Sequence, residues 1–262
     1  MDHLLNFEGL QAALYGVINM RWFVLVSFML GTAAAWAAPQ ILQSGSRQVS
    51  LLELYTSEGC SSCPPADRWL SKLTSDTRLW REVVPVAFHV DYWDYLGWPD
   101  RFASSVFGAR QRQYAQNGHI RTVYTPGLIL NGKEWRGWFL RPQLRLTPGA
   151  EVGQLTLRLD GEQTKVRFTA KRDLPDRLDM HVALLGFGLS TQVHDGENQG
   201  RTLEHDFVVL AYEQVSMLGS DADYRAQLDL PTTTVDVSRK ALAAWISLPN
   251  NPQPLQAVGG WL

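Results

Sequence analysis

Residues 53–70 read ELYTSEGCSSCPPADRWL and contain both cysteines of the 262-residue chain, Cys60 and Cys63. The cysteines stand between an apolar run, which is typical of a strand, and a run that begins with two prolines and continues at helical spacing. A thiol at the start of a helix lies near the positive end of the helix dipole, which favours the thiolate. We therefore predict that Cys60 attacks a disulfide and that Cys63 resolves the resulting mixed disulfide.

Other interpretations of the cysteine pair remain open. A disulfide that closes so short a loop stabilises little, because the entropy of loop closure grows with the number of enclosed residues. A zinc site would need further Cys or His ligands, and the sequence has no second cysteine pair. His89 lies in an apolar run, where it is either a core histidine or a ligand that joins both thiolates in a soft copper or zinc site. Glu58, in the same turn as the cysteines, is either a proton acceptor or a solvated carboxylate.

Composition bounds the class of protein. The chain is 45% hydrophobic and 19% charged, as in ordinary globular proteins, and its length suits one large domain or two smaller ones. A net charge of -2 argues against nucleic acid as a partner. Ten Trp and eight Tyr suit a packed core and an aromatic binding surface.

The N-terminal region is typical of an export signal. Residues 20–37 begin with Met-Arg, continue through a short apolar core and end in the small-residue box Ala35-Trp36-Ala37, which predicts a signal peptide and its cleavage site. Residues 1–19 are an upstream extension, so translation starts at either Met1 or Met20. An uncleaved membrane anchor is the alternative, although the apolar core is short for the roughly 20 residues of a span. We expect a periplasmic or secreted protein, in a compartment where disulfides persist.

The remaining sequence predicts two structural regions. Apolar runs at 49–55 and 83–90 predict buried strands on either side of the first helix, hence a parallel crossover. An aromatic stretch at 91–99 precedes a helix at 102–116, and Asn131-Gly132 joins two short apolar segments as a β-hairpin. From residue 150 onward, alternating polar and apolar residues predict antiparallel strands, which we interpret as a small β-sandwich.

The order of strand, C-x-x-C, helix, strand, helix, Thr-Pro and hairpin resembles the thioredoxin fold. In that fold, the residue before a cis-proline lies against the C-x-x-C and presents its backbone to a substrate chain. The resemblance assigns this role to Thr125 and Pro126, and it implies that the aromatic stretch is an insertion over the active site. The expected fold class is an α/β thioredoxin-like domain at 46–141 followed by an all-β sandwich-like domain at 150–262.

Four blocks, at residues 53–67, 89–98, 124–126 and 196–203, are similar to the signature blocks of the secreted bacterial domain-of-unknown-function family 1223. The last block begins with a run that is either a turn or a recognition loop. This resemblance extends from Val49 to the C-terminus. It implies a thioredoxin-like fold with a C-terminal β domain and an exported location, but no established reaction.

The leading functional hypothesis is an exported thiol-disulfide oxidoreductase. Cys60 attacks, Cys63 resolves, and Thr125-Pro126 docks an extended protein or peptide that carries a thiol or disulfide. No metal and no cofactor is expected beyond the cysteine pair. The protein contacts the membrane only if the signal segment stays uncleaved. This hypothesis requires the sulfur of Cys60 to be exposed and close to Pro126. The alternatives are a non-catalytic binding protein with a permanent disulfide, or a copper carrier, so the sequence leaves open whether the protein is an enzyme.

Overall fold

The computed structural model describes residues 39–140, 143–161 and 163–262. The predicted upstream extension and signal peptide lie outside these residues. Within the described ranges, no helix combines the length and the apolar character that crossing a bilayer requires. The described residues belong to one compact unit.

The first part of the chain contains the three α-helices of the described residues and five short strands. These elements are β1 (Gln40–Gln43), β2 (Ser50–Thr56), α1 (Pro64–Ser71), β3 (Val83–His89), α2 (Ser105–Gln116), β4 (Gly127–Leu130), β5 (Lys133–Glu134) and α3 (Gly137–Leu140). Single 3-10 turns follow α1 at Lys72–Ser75 and β3 at Asp94–Leu96.

The second part consists of strands. They are β6 (Gly153–Asp160), β7 (Gln163–Ala170), β8 (Arg177–Phe187), β9 (Leu189–Gln192), β10 (Thr202–His205), β11 (Val208–Ser220), β12 (Asp223–Asp229), β13 (Arg239–Ser247) and β14 (Pro254–Trp261). Strands β9 and β10 pair with each other as a separate hairpin.

Local sequence signals predicted the short-range pairings correctly. β2 and β3 are parallel along their whole length, as the crossover pattern predicted. β4 and β5 form an antiparallel hairpin at Asn131-Gly132, where both residues have positive φ, 51° and 80°. Such a turn favours Asn and Gly because both tolerate left-handed backbone. α2 begins at Ser105, three residues later than predicted, after Ser104 as its N-cap.

Strand β11 connects the two parts of the chain. Its first residue, Val208, pairs in parallel with Ala87 of β3, its last residues pair with β12, and residues 208–218 pair with β8, with one register shift between Val209 and Ala211. From β3 the sheet continues through β2, β4 and β5; from β12 it continues through β7, β6 and β1; and from β8 it continues through β13 and β14. Twelve strands of the described residues therefore form one mixed sheet.

The predicted fold class, an α/β thioredoxin-like domain followed by a separate all-β sandwich, is wrong. The described residues are mostly strand, and strands from both predicted regions share the sheet. The main apolar cluster also takes side chains from both regions, including Tyr55, Phe88 and Trp245. Alternation along a strand shows which face is buried but not which distant strand lies beside it, so the sequence pattern missed this joining. The boundaries 46–141 and 150–262 stay a prediction.

Candidate functional site

The two cysteines form a disulfide where the turn after β2 leads into α1. Cys63 is the N-cap residue of α1, and Pro64 and Pro65 occupy its first turn, where missing N–H groups cost nothing. The Cα atoms of the two cysteines are 5.4 Å apart. The predicted position of the sulfur pair, at a helix N-terminus after a buried strand, is therefore confirmed.

The burial of the disulfide differs from what the exchange hypothesis requires. Cys60 is 1% exposed and Cys63 is 0% exposed, whereas Ser61 and Ser62 between them are exposed. The Oγ of Ser62 lies 3.4 Å from the Sγ of Cys60. The two serines between the cysteines therefore face solvent, whereas both cysteines are buried.

Residues 195–201 hold the cysteine turn in place. Asn198 is fully buried, and its Nδ2 donates hydrogen bonds to the carbonyl oxygens of Glu58 and Cys60, at 2.8 and 2.9 Å. The carboxylate of Glu197 accepts the backbone N–H of Ser61 at 3.0 Å. The run that the sequence left as either turn or recognition loop therefore packs against the disulfide.

The aromatic stretch also lies against the turn. A Cβ atom at Gly59 would lie 3.2 Å from the Cβ of Trp93, so the two segments are in close contact at this position. The indole Nε1 of Trp98 donates to Glu58 at 2.9 Å. The indole Nε1 of Trp93 donates to the hydroxyl oxygen of Thr125 at 2.6 Å, so this side chain bridges the cysteine turn and the Thr-Pro segment.

Thr125 and Pro126 are joined by a cis peptide bond and are both half-buried. Among the described residues, no hydrogen bond uses the backbone N–H or C=O of Thr125. The carbonyl of the preceding residue, Tyr124, is occupied, because it accepts from Gln111 Nε2 at 2.7 Å. Thr125, which bonds to Trp93, therefore has backbone N–H and C=O groups without a hydrogen-bond partner among the described residues.

A group of buried ionisable side chains lies near the turn, namely Glu58, Asp67, His89, Asp100 and His205. His89 Nδ1 and Asp100 Oδ2 are 2.7 Å apart, and the same carboxylate oxygen accepts the backbone N–H of Glu58 at 2.9 Å. His205 Nε2 lies 3.3 Å from Glu58 Oε1, and the two imidazole rings are 4.9 Å apart. Glu58 is thus buried, and not the solvated carboxylate that the sequence allowed.

In this group, burial and the nearby opposite charges shift the pKa values in opposite directions. Burial alone would raise the pKa of Asp100, but the charge and hydrogen bond of His89 outweigh it and leave that pKa lowered. Burial alone would lower the pKa of His89, but Asp100 leaves it raised. Burial raises the pKa of Asp67, an effect that the two histidines partly offset. His89 and Asp100 are therefore a buried pair in which each residue favours the charged form of the other.

The core interpretation of His89 fits this pairing, because Asp100 occupies its Nδ1. In the part of the chain that the structure describes, no three His, Cys, Asp or Glu side chains are grouped so as to hold a metal ion.

A family model described as a protein of unknown function, DUF1223, matches residues 51–247. The chain belongs to the DUF1223 family. The match contains every residue of the site described above. No curated protein matches the chain.

Two solved structures are similar to this DUF1223 chain. The X-ray structure of a protein from Agrobacterium tumefaciens is 26% identical, with a TM-score of 0.55, and the match covers 82% of this chain and 94% of the other. HBP35 of Porphyromonas gingivalis is 14% identical, with a TM-score of 0.55, over 84% of this chain and 76% of its own. At that identity the second likeness shows the fold alone.

The sequence predicted Cys60, Cys63, Thr125 and Pro126 as site residues, and Trp93 lies against Gly59 of the cysteine turn and bonds to Thr125. It missed the role of Asn198 and the pairing of His205 with Glu58. The available signal was weak: Asn198 lies in a turn-like run, and His205 is the last residue of the short strand β10, with no spacing that relates it to the cysteines.

Proposed function

We propose that this DUF1223 protein is an exported thiol-disulfide oxidoreductase whose redox centre is the Cys60–Cys63 disulfide. The observation that carries the proposal is the position of this disulfide at the N-terminus of α1, one indole ring away from the free backbone of Thr125. An extended partner segment that pairs with Thr125 would bring its own sulfur to the cysteine turn. Export rests on the signal-like sequence of residues 20–37.

The exchange conserves atoms and electrons. A partner thiolate attacks the Sγ of Cys60, the Cys60–Cys63 bond breaks, and Cys63 leaves as a thiolate that takes up a proton. A second partner thiolate then attacks the partner sulfur of the mixed disulfide and releases Cys60. The partner dithiol becomes a disulfide and the protein becomes a dithiol; the reverse direction uses the same bonds.

We propose that residues 195–201 shift to expose Cys60, since Asn198 and Glu197 bond to the backbone of the cysteine turn. The two buried hydrogen bonds of Asn198 oppose this movement, and at a net value of about 1 kcal/mol each they leave the open form a minor population. Exchange then proceeds through that minor form, or through a form that the docked partner stabilises.

A non-catalytic binding protein is the second candidate, and the burial of both cysteines favours it. In that case the disulfide is permanent, and only the surface around Thr125 acts. The reduction potential separates the two candidates, because structural disulfides lie below about -300 mV and exchangeable ones above it.

The decisive experiment combines that potential with trapping. The Cys63→Ala variant, produced in the exporting cell, should accumulate mixed disulfides through Cys60, while a variant with both cysteines replaced by alanine should accumulate none. Equilibration with dithiol buffers should give a potential above about -300 mV. A lower potential together with an absence of trapped species would establish the binding protein instead.

A further inference from the structure

Exposed aromatic side chains flank the Thr125–Pro126 segment. Tyr95 and Phe139 are 78% and 79% exposed, more than any other large apolar side chain of the described residues. Tyr95 stacks on Trp93, the residue that bonds to Thr125, with ring centroids 6.5 Å apart. Phe139 packs edge-on against Trp138 at 5.7 Å. Large exposed apolar side chains next to such a segment favour an interaction site.

A groove of about 510 Å³ lies beside Pro126 on the Phe139 side. Its lining is mainly apolar and consists of Thr122, Tyr124, Pro126, Arg136, Trp138 and Phe139. The groove is continuous with the segment whose backbone is free, because Tyr124 and Pro126 enclose Thr125. A chain that pairs with Thr125 can therefore place a side chain in the groove.

The rim of the groove carries excess positive charge. The side chain of Arg136 is 70% exposed and lies 2.9 Å from Glu134 Oε1, which also accepts the Tyr124 hydroxyl at 2.6 Å. Hydrogen bonds from Tyr124 and Arg136 lower the pKa of Glu134, and the charge of the exposed Arg121 adds to this effect. Two arginines thus face one carboxylate that is already paired, which favours an acidic group on the occupant.

We propose that the groove docks an extended segment of a partner protein that carries a large apolar side chain and, two residues away, a carboxylate. The apolar side chain fills the space between Pro126 and Phe139, and the carboxylate meets Arg136. The spacing follows from the extended backbone, in which side chains two residues apart point to the same side. This inference rests on the proposed function, since it names the class of segment that reaches the same site.

A cysteine-free peptide tests docking apart from exchange. The probe is a fluorescein-labelled Gly/Ser nonapeptide with one leucine and, two residues on, one aspartate; its binding is followed by fluorescence anisotropy. Two companion peptides replace the leucine by serine or the aspartate by lysine. The protein variants are Phe139→Ser, Arg136→Glu and the matched control Leu218→Ser, which removes a 64% exposed leucine on β11.

The wild-type protein should bind the leucine-aspartate peptide about tenfold more tightly than either companion. Phe139→Ser should lose about tenfold in affinity for that peptide, Leu218→Ser should lose less than twofold, and Arg136→Glu should prefer the lysine peptide. Equal binding of all three peptides, or equal losses in the two serine variants, would overturn the proposal.

The two proposals fail separately. Peptide selectivity without any mixed disulfide in the trapping experiment would leave docking intact and remove the oxidoreductase. Mixed disulfides without peptide selectivity would support the oxidoreductase and remove the docking proposal. A wild-type dimer that Phe139→Ser converts to a monomer in sedimentation would make a second copy the occupant and overturn the docking of a partner segment.

Discussion

Asn198 is the buried residue that bonds to the backbone on both sides of Gly59 in the cysteine turn. Replacing it by alanine leaves the buried carbonyl of Glu58 without its donor, at about 1 to 3 kcal/mol, and leaves the carbonyl of Cys60 with the N–H of Cys63 alone. We expect Asn198→Ala to be less stable and its disulfide to be reduced at least about tenfold faster by dithiothreitol, as measured by alkylation of the released thiols. Gln199→Ala, at the exposed neighbour, is the control. Equal reduction rates in both variants would show that residues 195–201 do not limit access.

The His89–Asp100 pair makes stability depend on pH. The pKa of Asp100 is lowered, so its contribution is present above the unfolded value of about 3.9 and is lost as the pH falls through the folded value. The pKa of His89 is raised, so its contribution is complete below the unfolded value of about 6.5 and is lost as the pH rises through the folded value. The pair therefore stabilises most between about pH 4 and pH 6.5.

Asp100→Asn should accordingly lose about 3 to 5 kcal/mol of unfolding free energy near pH 5.5 and less at pH 3 and pH 9. Urea denaturation followed by circular dichroism measures the difference from the wild type at each pH. Asp160→Asn, at the exposed end of β6, should show no loss of unfolding free energy that is larger near pH 5.5 than at pH 3 and pH 9. A loss that does not vary with pH would mean that the pair is not charged in the folded protein.

At the scale of elements, one buried ion pair joins β2 to α2. The carboxylate of Glu53 accepts Arg110 Nη2 at 2.6 Å, and it also accepts the hydroxyls of Tyr55 and Tyr114 at 2.7 and 2.9 Å. The carbonyl of Pro252, just before β14, accepts from Arg110 Nη2 at 3.2 Å and lies 2.7 Å from the hydroxyl of Tyr114, whose single hydrogen is shared between that carbonyl and Glu53. Burial alone would lower the pKa of Arg110, but the charge of Glu53 leaves it raised, so the guanidinium stays charged.

Glu53→Gln should therefore cost about 3 to 5 kcal/mol, because it leaves a buried guanidinium without a counter-charge. The shift of the urea midpoint at constant slope measures this cost. Glu213→Gln on β11 makes the same chemical change at an exposed position and should shift the midpoint little. Similar losses in the two variants would mean that the pair contributes no more than an exposed glutamate.

Elements were predictable from the sequence where the deciding residues are close together. The hairpin at Asn131-Gly132 follows from the turn itself, and the β2–β3 pairing follows from two apolar runs around one helix. Cys60 and Cys63 follow from their spacing, and Thr125-Pro126 from a resemblance. The pairing of Val208 with Ala87 and the hydrogen bonds of Asn198 join residues far apart in the chain. The spacing of apolar residues along the chain does not encode such contacts, since they depend on how the folded helices and strands pack against one another.

At the scale of the whole molecule, the joining of both regions through β11 implies that they unfold together. The main apolar cluster includes Leu54 and Phe88 from the first region and Trp245 from the second, so neither region can open without exposing the other. Leu157 belongs to a second cluster, on β6, and is fully buried. Leu157→Ala should lower the unfolding free energy by about 2 to 5 kcal/mol.

Hydrogen exchange followed by mass spectrometry tests whether the stability lost in Leu157→Ala is also lost in the first region. In a single cooperative unit, Leu157→Ala accelerates exchange in β2 and β3 by the same free energy as in β6 and β7, because the slowest amides open only by global unfolding. Ile41→Ala, which truncates a 56% exposed side chain on β1, should leave all four strands close to their wild-type rates. Faster exchange confined to β6 and β7 would show that the predicted ranges 46–141 and 150–262 unfold separately, despite the sheet that they share.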